Sequence, residues 1–251
     1  MGIGTFGSRS AAVDGSATHE AAVQVREKAA KIAAHLLEAA EADIRFEDGG
    51  AHVAGSPDRS VTWQELATAA YQPHTLPEGL SGGLEAHSIF SPANATWPFG
   101  THIAMVEVDP ETGDVDLLRY MAMDDCGNVI NPMIVDGQLH GGLAQGIGQA
   151  LFEDAIYDAD GNLLTGSLVD YPLPTAADLP SFELRRTVTP SDVNPLGVKG
   201  IGEAGTIGSA QTIVNAVVDA LRPLGVNHID MPLRPKRVWQ AIQDAQSGRN
   251  G

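Results

Sequence analysis

The chain has 251 residues and a formal net charge of −17, with a pI of about 4.6. Such an acidic surface argues against binding to nucleic acid, because phosphates would be repelled. The single cysteine, Cys126, excludes an internal disulfide framework and a cysteine-built metal site. No apolar run reaches the ~18 residues of a membrane span and no secretory leader is seen, so we expect a cytoplasmic protein without membrane insertion.

The chain opens on a glycine- and serine-rich stretch, GTFGSRS, which contains Gly7, Ser8, Arg9 and Ser10. Its backbone N–H groups, two hydroxyls and one guanidinium together would suit an anion. A disordered terminus of the same composition is the alternative.

The first third of the chain predicts one long helix and a small antiparallel unit. Apolar side chains recur at helical spacing over 17–43. Ile44–Phe46 and Ala51–Ala54 flank a turn sequence and predict a hairpin. Thr62-Trp-Gln-Glu65 has the pattern of a capping box that opens a short helix. Leu84–Phe90 predicts a strand.

Near the centre of the chain, alternating apolar residues in THIAMVEVD and DVDLLRYMAMDDC predict a second, longer hairpin. This hairpin ends on Asp124 and Asp125, which resemble a paired-carboxylate site. Successive residues of a strand point to opposite faces, so we expect no shared proton. Ala155–Tyr157 with Leu163–Leu164 predict a further hairpin, and Phe182–Val188 predicts a strand.

The segment 133–152 has helical periodicity although it holds five glycines, and it contains Gln138. Each glycine costs about 1 kcal/mol relative to alanine inside a helix. A close approach by another backbone or by a large ligand would explain them. Gln138 is a candidate ligand-binding side chain on this helix, and an amide facing water is the alternative.

The stretch around which the chain is organised is NPLGVKGIGEAGTIG, residues 194–208, with five glycines and a single carboxylate, Glu203. A glycine-rich loop that opens a helix presents free N–H groups to an anion, and a lone Glu there suits a general base. Gly200, Gly202 and Gly205 also spell G-x-G-x-x-G, which leaves a nicotinamide-binding domain as a weaker alternative. No apolar strand pattern precedes it, although the dinucleotide fingerprint requires one.

Four blocks of the sequence resemble the C-terminal part of the molybdenum-binding large subunit of the xanthine dehydrogenase / aldehyde oxidase family. They resemble the aerobic carbon-monoxide-dehydrogenase-like large subunits most closely, and they lie in family order. The blocks are GTFGSRSAAVDGSA, DDCGNVINPMIVDGQLHGGLAQGIGQAL, NPLGVKGIGEAGTIGSA and VNAVVDAL.

The resemblance implies a molybdopterin cytosine dinucleotide cofactor and an α+β fold of mixed sheets with packed helices. It places Glu203 at the active-site glutamate, as the base in a water-derived hydroxylation of carbon monoxide, an aldehyde or an N-heterocycle. The cofactor-binding positions it implies are Gly7, Ser8, Arg9, Ser10, Gln138, Lys199, Gly200, Ile201 and Gly202.

The resemblance also implies partners, because a family large subunit is longer than this chain. We expect the N-terminal half of the large subunit, and iron–sulfur and FAD subunits, to be needed for turnover. A non-catalytic assembly remnant of the same fold is the alternative. We expect two lobes, 1–78 and 79–251, with the Gln138 helix and the Glu203 loop in the second.

Overall fold

The structure is a computed structural model that describes residues 4–47 and 49–248. It divides into two compact units: the smaller unit is Val13–Pro92, and the rest of the described chain forms the larger unit. The lobe boundary expected at 78 does not coincide with either limit of the smaller unit, and the two-lobe division stays a prediction. None of the described helices is long and apolar enough to cross a membrane.

The smaller unit contains most of helix α1, Ser10–Leu36, and a three-stranded antiparallel sheet of order β1-β2-β3. The strands are β1 Ile44–Glu47, β2 Gly50–Val53 and β3 Ser56–Thr62. Helix α2, Trp63–Ala70, follows directly. Its Thr62 and Glu65 form the predicted capping box. Ile32 of α1 and Leu66 of α2 are fully buried in the core of this unit.

The larger unit contains a sheet of order β4-β5-β6. Its strands are β4 Phe99–Val108, β5 Val115–Asp125 and β6 Glu183–Thr187. The β4–β5 pair is the predicted central hairpin, with Phe99 opposite Asp125. Strand β6 runs parallel to β5. Helices α3 Pro132–Leu151, α4 Ala204–Leu221 and α5 Pro235–Ser247 complete the unit. Three-residue 3-10 turns lie at Glu41–Asp43, Pro73–Thr75 and Arg222–Leu224.

One face of the β4-β5-β6 sheet is packed against helices. Tyr120 of β5 is buried with Leu143 and Ile147 of α3, Ile213 of α4 and Ile242 of α5. Helices α3 and α4 approach closely because each has a glycine at the contact. A Cβ on Gly142 would lie 3.0 Å from Gly205 Cα, and a Cβ on Gly205 would lie 2.9 Å from the Leu139 carbonyl oxygen. Close approach of two backbones therefore explains part of the glycine content of α3.

Several predicted elements are corrected. Helix α1 begins at Ser10 rather than at 17 and ends before 43. The helix ends at Leu36, and two residues later Glu38 adopts a left-handed φ of 46°. The N–H of Ala39 then donates to the carbonyl oxygen of Ala34 (2.9 Å), as in a Schellman motif. Glutamate at this position carries no sequence signal for a helix end.

The strand predicted at Leu84–Phe90 does not form, although all of its residues are described, because no neighbouring strand pairs with it. Leu84 instead packs against the core of the smaller unit. The predicted hairpin at 155–164 is reduced to one bridge, Tyr157 with Leu163. Strand β3 was not predicted, since Val61 is its one buried side chain. Residues 188–199, all of them described, separate β6 from GIGEAG, so no strand leads directly into this loop as it does in a nicotinamide-binding domain.

Candidate functional site

The loop that carries Glu203 is held by its own polar side chains before any ligand is considered. Asn194 Nδ2 donates to the Val198 carbonyl oxygen (2.9 Å), and the Val198 N–H donates to Asn194 Oδ1 (3.2 Å). This ring of hydrogen bonds encloses Gly197, whose φ of +65° favours glycine. The Lys199 N–H then donates to the Cys126 carbonyl oxygen (2.7 Å), which ties the loop to the end of β5.

A buried ion pair lies under the same loop. Lys199 Nζ donates to Asp125 Oδ1 at 2.9 Å, and both side chains are almost completely buried. The Lys199 ammonium also lies 4.6 Å from the centre of the Phe99 ring. Lys199 was expected to bind cofactor, but its side chain is already engaged inside the protein. Its backbone N–H is also engaged, with the Cys126 carbonyl oxygen, so Lys199 offers neither its ammonium nor its N–H to a ligand.

Asp125 accepts more than the lysine. The Gly127 N–H donates to its Oδ1 (3.0 Å) and the Thr187 hydroxyl to its Oδ2 (3.0 Å). Burial by itself would raise the pKa of Asp125, but the hydrogen bonds from Lys199, Gly127, Thr189 and Thr187 outweigh it and lower the pKa to about 2. The carboxylate is therefore charged at neutral pH, and the pair is ionic.

The N-terminal loop meets the Glu203 loop at close range. Gly7 and Ser8 both adopt left-handed conformations, with φ of 59° and 55°. A Cβ on Gly200 would overlap the Ser8 carbonyl oxygen and lie 2.5 Å from Ser8 Cβ. The φ of Gly200 is not left-handed, so space alone requires glycine there. The sequence singled out two stretches, one with Gly4 and one with Gly202, which are 198 positions apart. The folded chain brings them together at one site.

Glu203 lies where these two loops meet. It is the N-cap residue of α4, but its carboxylate does not cap the helix. The Ser8 hydroxyl instead donates to Glu203 Oε2 at 2.8 Å. The side chain of Glu203 is exposed in this chain. The described residues alone therefore do not enclose Glu203 in a desolvated pocket.

Glu203 opens onto a cavity of about 480 Å³ within the larger unit. Its walls combine the exposed apolar side chains of Trp97, Phe99 and Ile207 with two buried polar side chains, His102 and Asp124. His102 Nδ1 lies 2.9 Å from the Tyr120 hydroxyl oxygen, and His102 Nε2 lies 3.3 Å from both Asp124 oxygens. Burial raises the pKa of Tyr120, which keeps the phenol protonated.

The His102–Asp124 pair was not predicted from the sequence. Asp124 and Asp125 do point to opposite sides of β5, as the strand period requires: one meets His102 and the other meets Lys199. The available signal was the β4 pattern, which places His102 on the same face as Ala104 and Val106. A histidine among inward-facing apolar residues indicates a buried polar partner.

Gln138 lies on the open side of α3, next to the Glu203 loop. Its Oε1 would be 3.2 Å from a Cβ on Gly202. Gly137 and Gly141 flank it on the helix, and a Cβ on either would meet nothing within 4 Å. These two glycines, unlike Gly142, are thus not explained by packing inside the described chain.

The remaining predicted site residues are placed as follows. Arg9 stacks over the Phe6 ring, 5.0 Å from its centre. The Ser10 and Thr5 hydroxyls share a hydrogen bond at the start of α1. Ile201 packs against the small core of Cys126, Val135 and Leu139, so only its backbone faces the site.

Comparison with known proteins shows the family to which the chain belongs. Residues 1–180 match the family described as "Molybdopterin cofactor-binding domain". The chain is 45% identical, over 97% of its length, to the carbon monoxide dehydrogenase large chain of Hydrogenophaga pseudoflava, of which it spans 30%.

Two solved structures share the fold. Carbon monoxide dehydrogenase from Oligotropha carboxidovorans matches with a TM-score of 0.88 at 41% identity, covering 98% of this chain and 30% of that one. Quinoline 2-oxidoreductase from Pseudomonas putida 86 matches with a TM-score of 0.88 at 42% identity, covering 97% of this chain and 31% of that one. The chain therefore belongs to the molybdopterin cofactor-binding domain family and is of the kind found in the large subunits of the carbon monoxide dehydrogenase and xanthine dehydrogenase type.

Proposed function

We propose that this chain is the C-terminal part of a molybdenum hydroxylase large subunit, that it binds molybdopterin cytosine dinucleotide, and that Glu203 is its catalytic base. The observation that carries the proposal is the meeting of the two glycine-containing loops at Glu203. There, Ser8 of one loop holds the carboxylate of the other. A solvated turn would not require this contact across the chain.

The residues present fit a large anionic cofactor. The N–H groups of Ala204, Gly205 and Thr206 open α4 and have no carbonyl acceptor within the described residues, as suits a phosphate at a helix N-terminus. The bare face of Gly137 and Gly141 leaves room beside α3, and the Gln138 amide offers both a donor and an acceptor. No cluster of three or more His, Cys, Asp or Glu among the described residues could hold a metal directly. Molybdenum would therefore be carried by the ligands of the cofactor.

When bound, the cofactor supplies the redox and oxygen-transfer chemistry, and the protein supplies position and proton transfer. Ser8 occupies Glu203 Oε2, while Oε1 has no partner among the described residues. Oε1 is therefore the atom that accepts the proton from the water-derived nucleophile. Ser8 would hold the carboxylate in place during this transfer.

The substrate would be a small molecule that is oxidised or hydroxylated with oxygen from water: carbon monoxide, an aldehyde or an N-heterocycle. The matched relatives are named for carbon monoxide and quinoline, so the family's cofactor domain serves more than one of these classes. Because Glu203 is exposed here, we propose that the rest of the large subunit closes the site. Iron–sulfur and FAD subunits would then remove the electrons.

The test is the Glu203→Gln substitution in the assembled enzyme. We expect turnover to fall by about 10²–10⁴-fold, the usual contribution of a general base. Molybdenum and cytidine nucleotide per chain should stay unchanged, since Gln keeps the size of the side chain. Glu111→Gln, in the exposed turn between β4 and β5, is the matched control and should have full activity. Near-normal turnover of the Glu203 variant would remove it from the mechanism.

A further inference from the structure

We propose that Lys199 and Asp125 form a buried positioning pair that fixes where Glu203 stands, and that the Lys199 ammonium is not a cofactor ligand. The inference rests on the proposed function, since it concerns the placement of the proposed base. It assigns to Lys199 a role different from the one that the family resemblance implied. Asp125 acquires a role that no sequence pattern indicated.

The first step is that the pair is complete without any ligand. Lys199 Nζ is 2.9 Å from Asp125 Oδ1, and Phe99 covers the ammonium on another side. Asp125 also receives the Gly127 N–H and the Thr187 hydroxyl. For Nζ to reach a phosphate or a pterin, it would have to leave a fully buried carboxylate uncompensated. That state is strongly disfavoured in a protein interior.

The second step is that the pair lies where it can set the loop. Lys199 and Asp125 are 74 positions apart, so their contact joins the Glu203 loop to the end of the β4–β5 hairpin. The backbones of the same two segments are joined by the Lys199 N–H to Cys126 carbonyl bond and by the Gly127–Val198 bridge. The side-chain and backbone links together fix the position and the orientation of the loop at Lys199 relative to the end of the β4–β5 hairpin.

The third step connects Lys199 to Glu203. Only Gly200, Ile201 and Gly202 separate them. Gly200 is pressed against Ser8, and Ile201 is packed against Cys126, Val135 and Leu139. Because these intervening residues are packed, a shift of the backbone at Lys199 would be transmitted to Glu203. Displacement of a catalytic group by about 1 Å can cost on the order of 10²-fold in rate.

Residue type also favours positioning over stability. A buried ion pair is a poor source of stability compared with apolar packing, and its best-attested use is to specify one arrangement among several. The hydrogen bonds from Lys199, Gly127 and Thr187 come from three different segments and converge on one carboxylate. Such convergence selects a single placement of the loop.

The experiment is a double-mutant cycle in the assembled enzyme: Lys199→Met, Asp125→Asn and the two combined. We expect each single variant to lower kcat by about 10–100-fold, as for residues that orient catalytic ligands, with KM and with molybdenum and cytidine nucleotide per chain unchanged. The combined variant should be no slower than the slower single variant, because both changes remove the same contact.

The cycle stays informative if a single variant fails to fold. The combined variant contains no unpaired buried charge and should assemble with its cofactor, yet turn over slowly. Thr187→Val, which removes one donor to Asp125, should show a smaller loss of kcat in the same direction. The matched control is the exposed pair Arg222–Asp219 at the end of α4, where Arg222→Gln should change nothing.

Three results would overturn the inference. They are loss of cofactor in Lys199→Met but not in Asp125→Asn, multiplicative losses of kcat in the combined variant, and full kcat in the combined variant. The first would return Lys199 to the cofactor site. The proposed function is judged separately: normal turnover in Glu203→Gln would overturn it whatever the Lys199 cycle shows.

Discussion

Gly200 shows how much of this site depends on the absence of one carbon atom. The chain passes Ser8 so closely there that any Cβ would overlap the Ser8 carbonyl oxygen. Ser8 in turn is held in a left-handed conformation and donates to Glu203. The position of the proposed base therefore depends on a backbone contact between two distant loops.

We expect Gly200→Ala to destabilise the chain by about 1–3 kcal/mol, the usual cost of forcing extra volume into a packed site. The measurement is urea unfolding of the 251-residue chain. Gly137→Ala is the control, because a Cβ there meets nothing, and in a helix it should stabilise by about 1 kcal/mol. Equal effects of the two substitutions would refute the close contact at Ser8.

Asp125 makes the free energy of unfolding depend on pH between the pKa values of its folded and unfolded states. Its pKa is lowered to about 2 in the folded chain, against about 3.9 when unfolded. A depressed carboxyl pKa stabilises the fold above the unfolded value, and that stabilisation is lost as pH falls through the folded value. The shift corresponds to about 2–3 kcal/mol.

Unfolding free energies of the wild type and of Asp125→Asn, measured against pH, test this. The variant should be less stable by about 3–5 kcal/mol near neutral pH, because Lys199 is left buried without a partner. The difference between the two proteins should stay level down to about pH 4 and then narrow towards pH 2. A difference that does not vary between pH 4 and pH 2 would show that Asp125 is not the group that titrates.

At the scale of the element, helix α3 is the clearest case of tertiary demand overriding local propensity. Gly146 lies against α4, where a Cβ would overlap Ser209 Oγ and lie 2.8 Å from the Thr206 carbonyl oxygen. Three glycines of this helix, Gly142, Gly146 and Gly148, have such neighbours, and two, Gly137 and Gly141, have none. Packing within the chain explains the first three glycines. We expect contact with a ligand or with the rest of the subunit to explain the other two.

Gly146→Ala should destabilise the chain by about 1–3 kcal/mol through overpacking at α4. Ser209→Ala in the same chain should recover part of this loss, since it removes the hydroxyl oxygen but not the Thr206 carbonyl. Thermal or urea unfolding of the two single variants and the combined one measures the coupling. Strictly additive losses would mean that the two side chains do not meet.

Periodicity predicted the elements whose signal is local and missed those set by distant contacts. The β4–β5 hairpin and the helices α2, α3 and α4 follow from alternation, from a capping box or from 3.6-residue spacing. The strand expected at Leu84–Phe90 has the residues of a strand but no partner. The early end of α1 at Glu38 depends on a backbone conformation that glycine usually supplies.

The site was only partly predictable for a related reason. Glycine content and a lone carboxylate singled out Gly7, Gly200 and Glu203, and the family resemblance linked them to one cofactor. The His102–Asp124 pair lies within one hairpin, and its one signal was the histidine among the inward-facing residues of β4. The Lys199–Asp125 pair joins segments 74 positions apart and leaves no local pattern, so only the folded chain shows that Lys199 is engaged internally.

At the scale of the whole molecule, one face of the β4-β5-β6 sheet carries no helix from the described part of the chain. Ile103, Met105 and Met123 lie on this face and are each about half exposed. Apolar surface of this kind marks a contact that the chain makes with something else. The chain spans only 30% of the carbon monoxide dehydrogenase large chain that it matches, and we expect the remainder of such a subunit to dock there.

The isolated chain should therefore associate with itself as its concentration rises, despite its net charge. Light scattering on a sizing column should give a mass above 26.3 kDa. Replacing Ile103 and Met105 by threonine, which suits strands but is polar, should shift the population towards the monomer. Glu107→Gln on the same strand is the control. If the unaltered chain stays monomeric at all concentrations, this face does not mediate self-association.

The measurement that tests the central claim most directly is analysis of metal and nucleotide in the chain purified from its natural source under mild conditions. The account predicts molybdenum and releasable cytidine monophosphate in equal amounts per chain, in a complex that contains the rest of the large subunit. Absence of both molybdenum and cytidine nucleotide from that complex would contradict it.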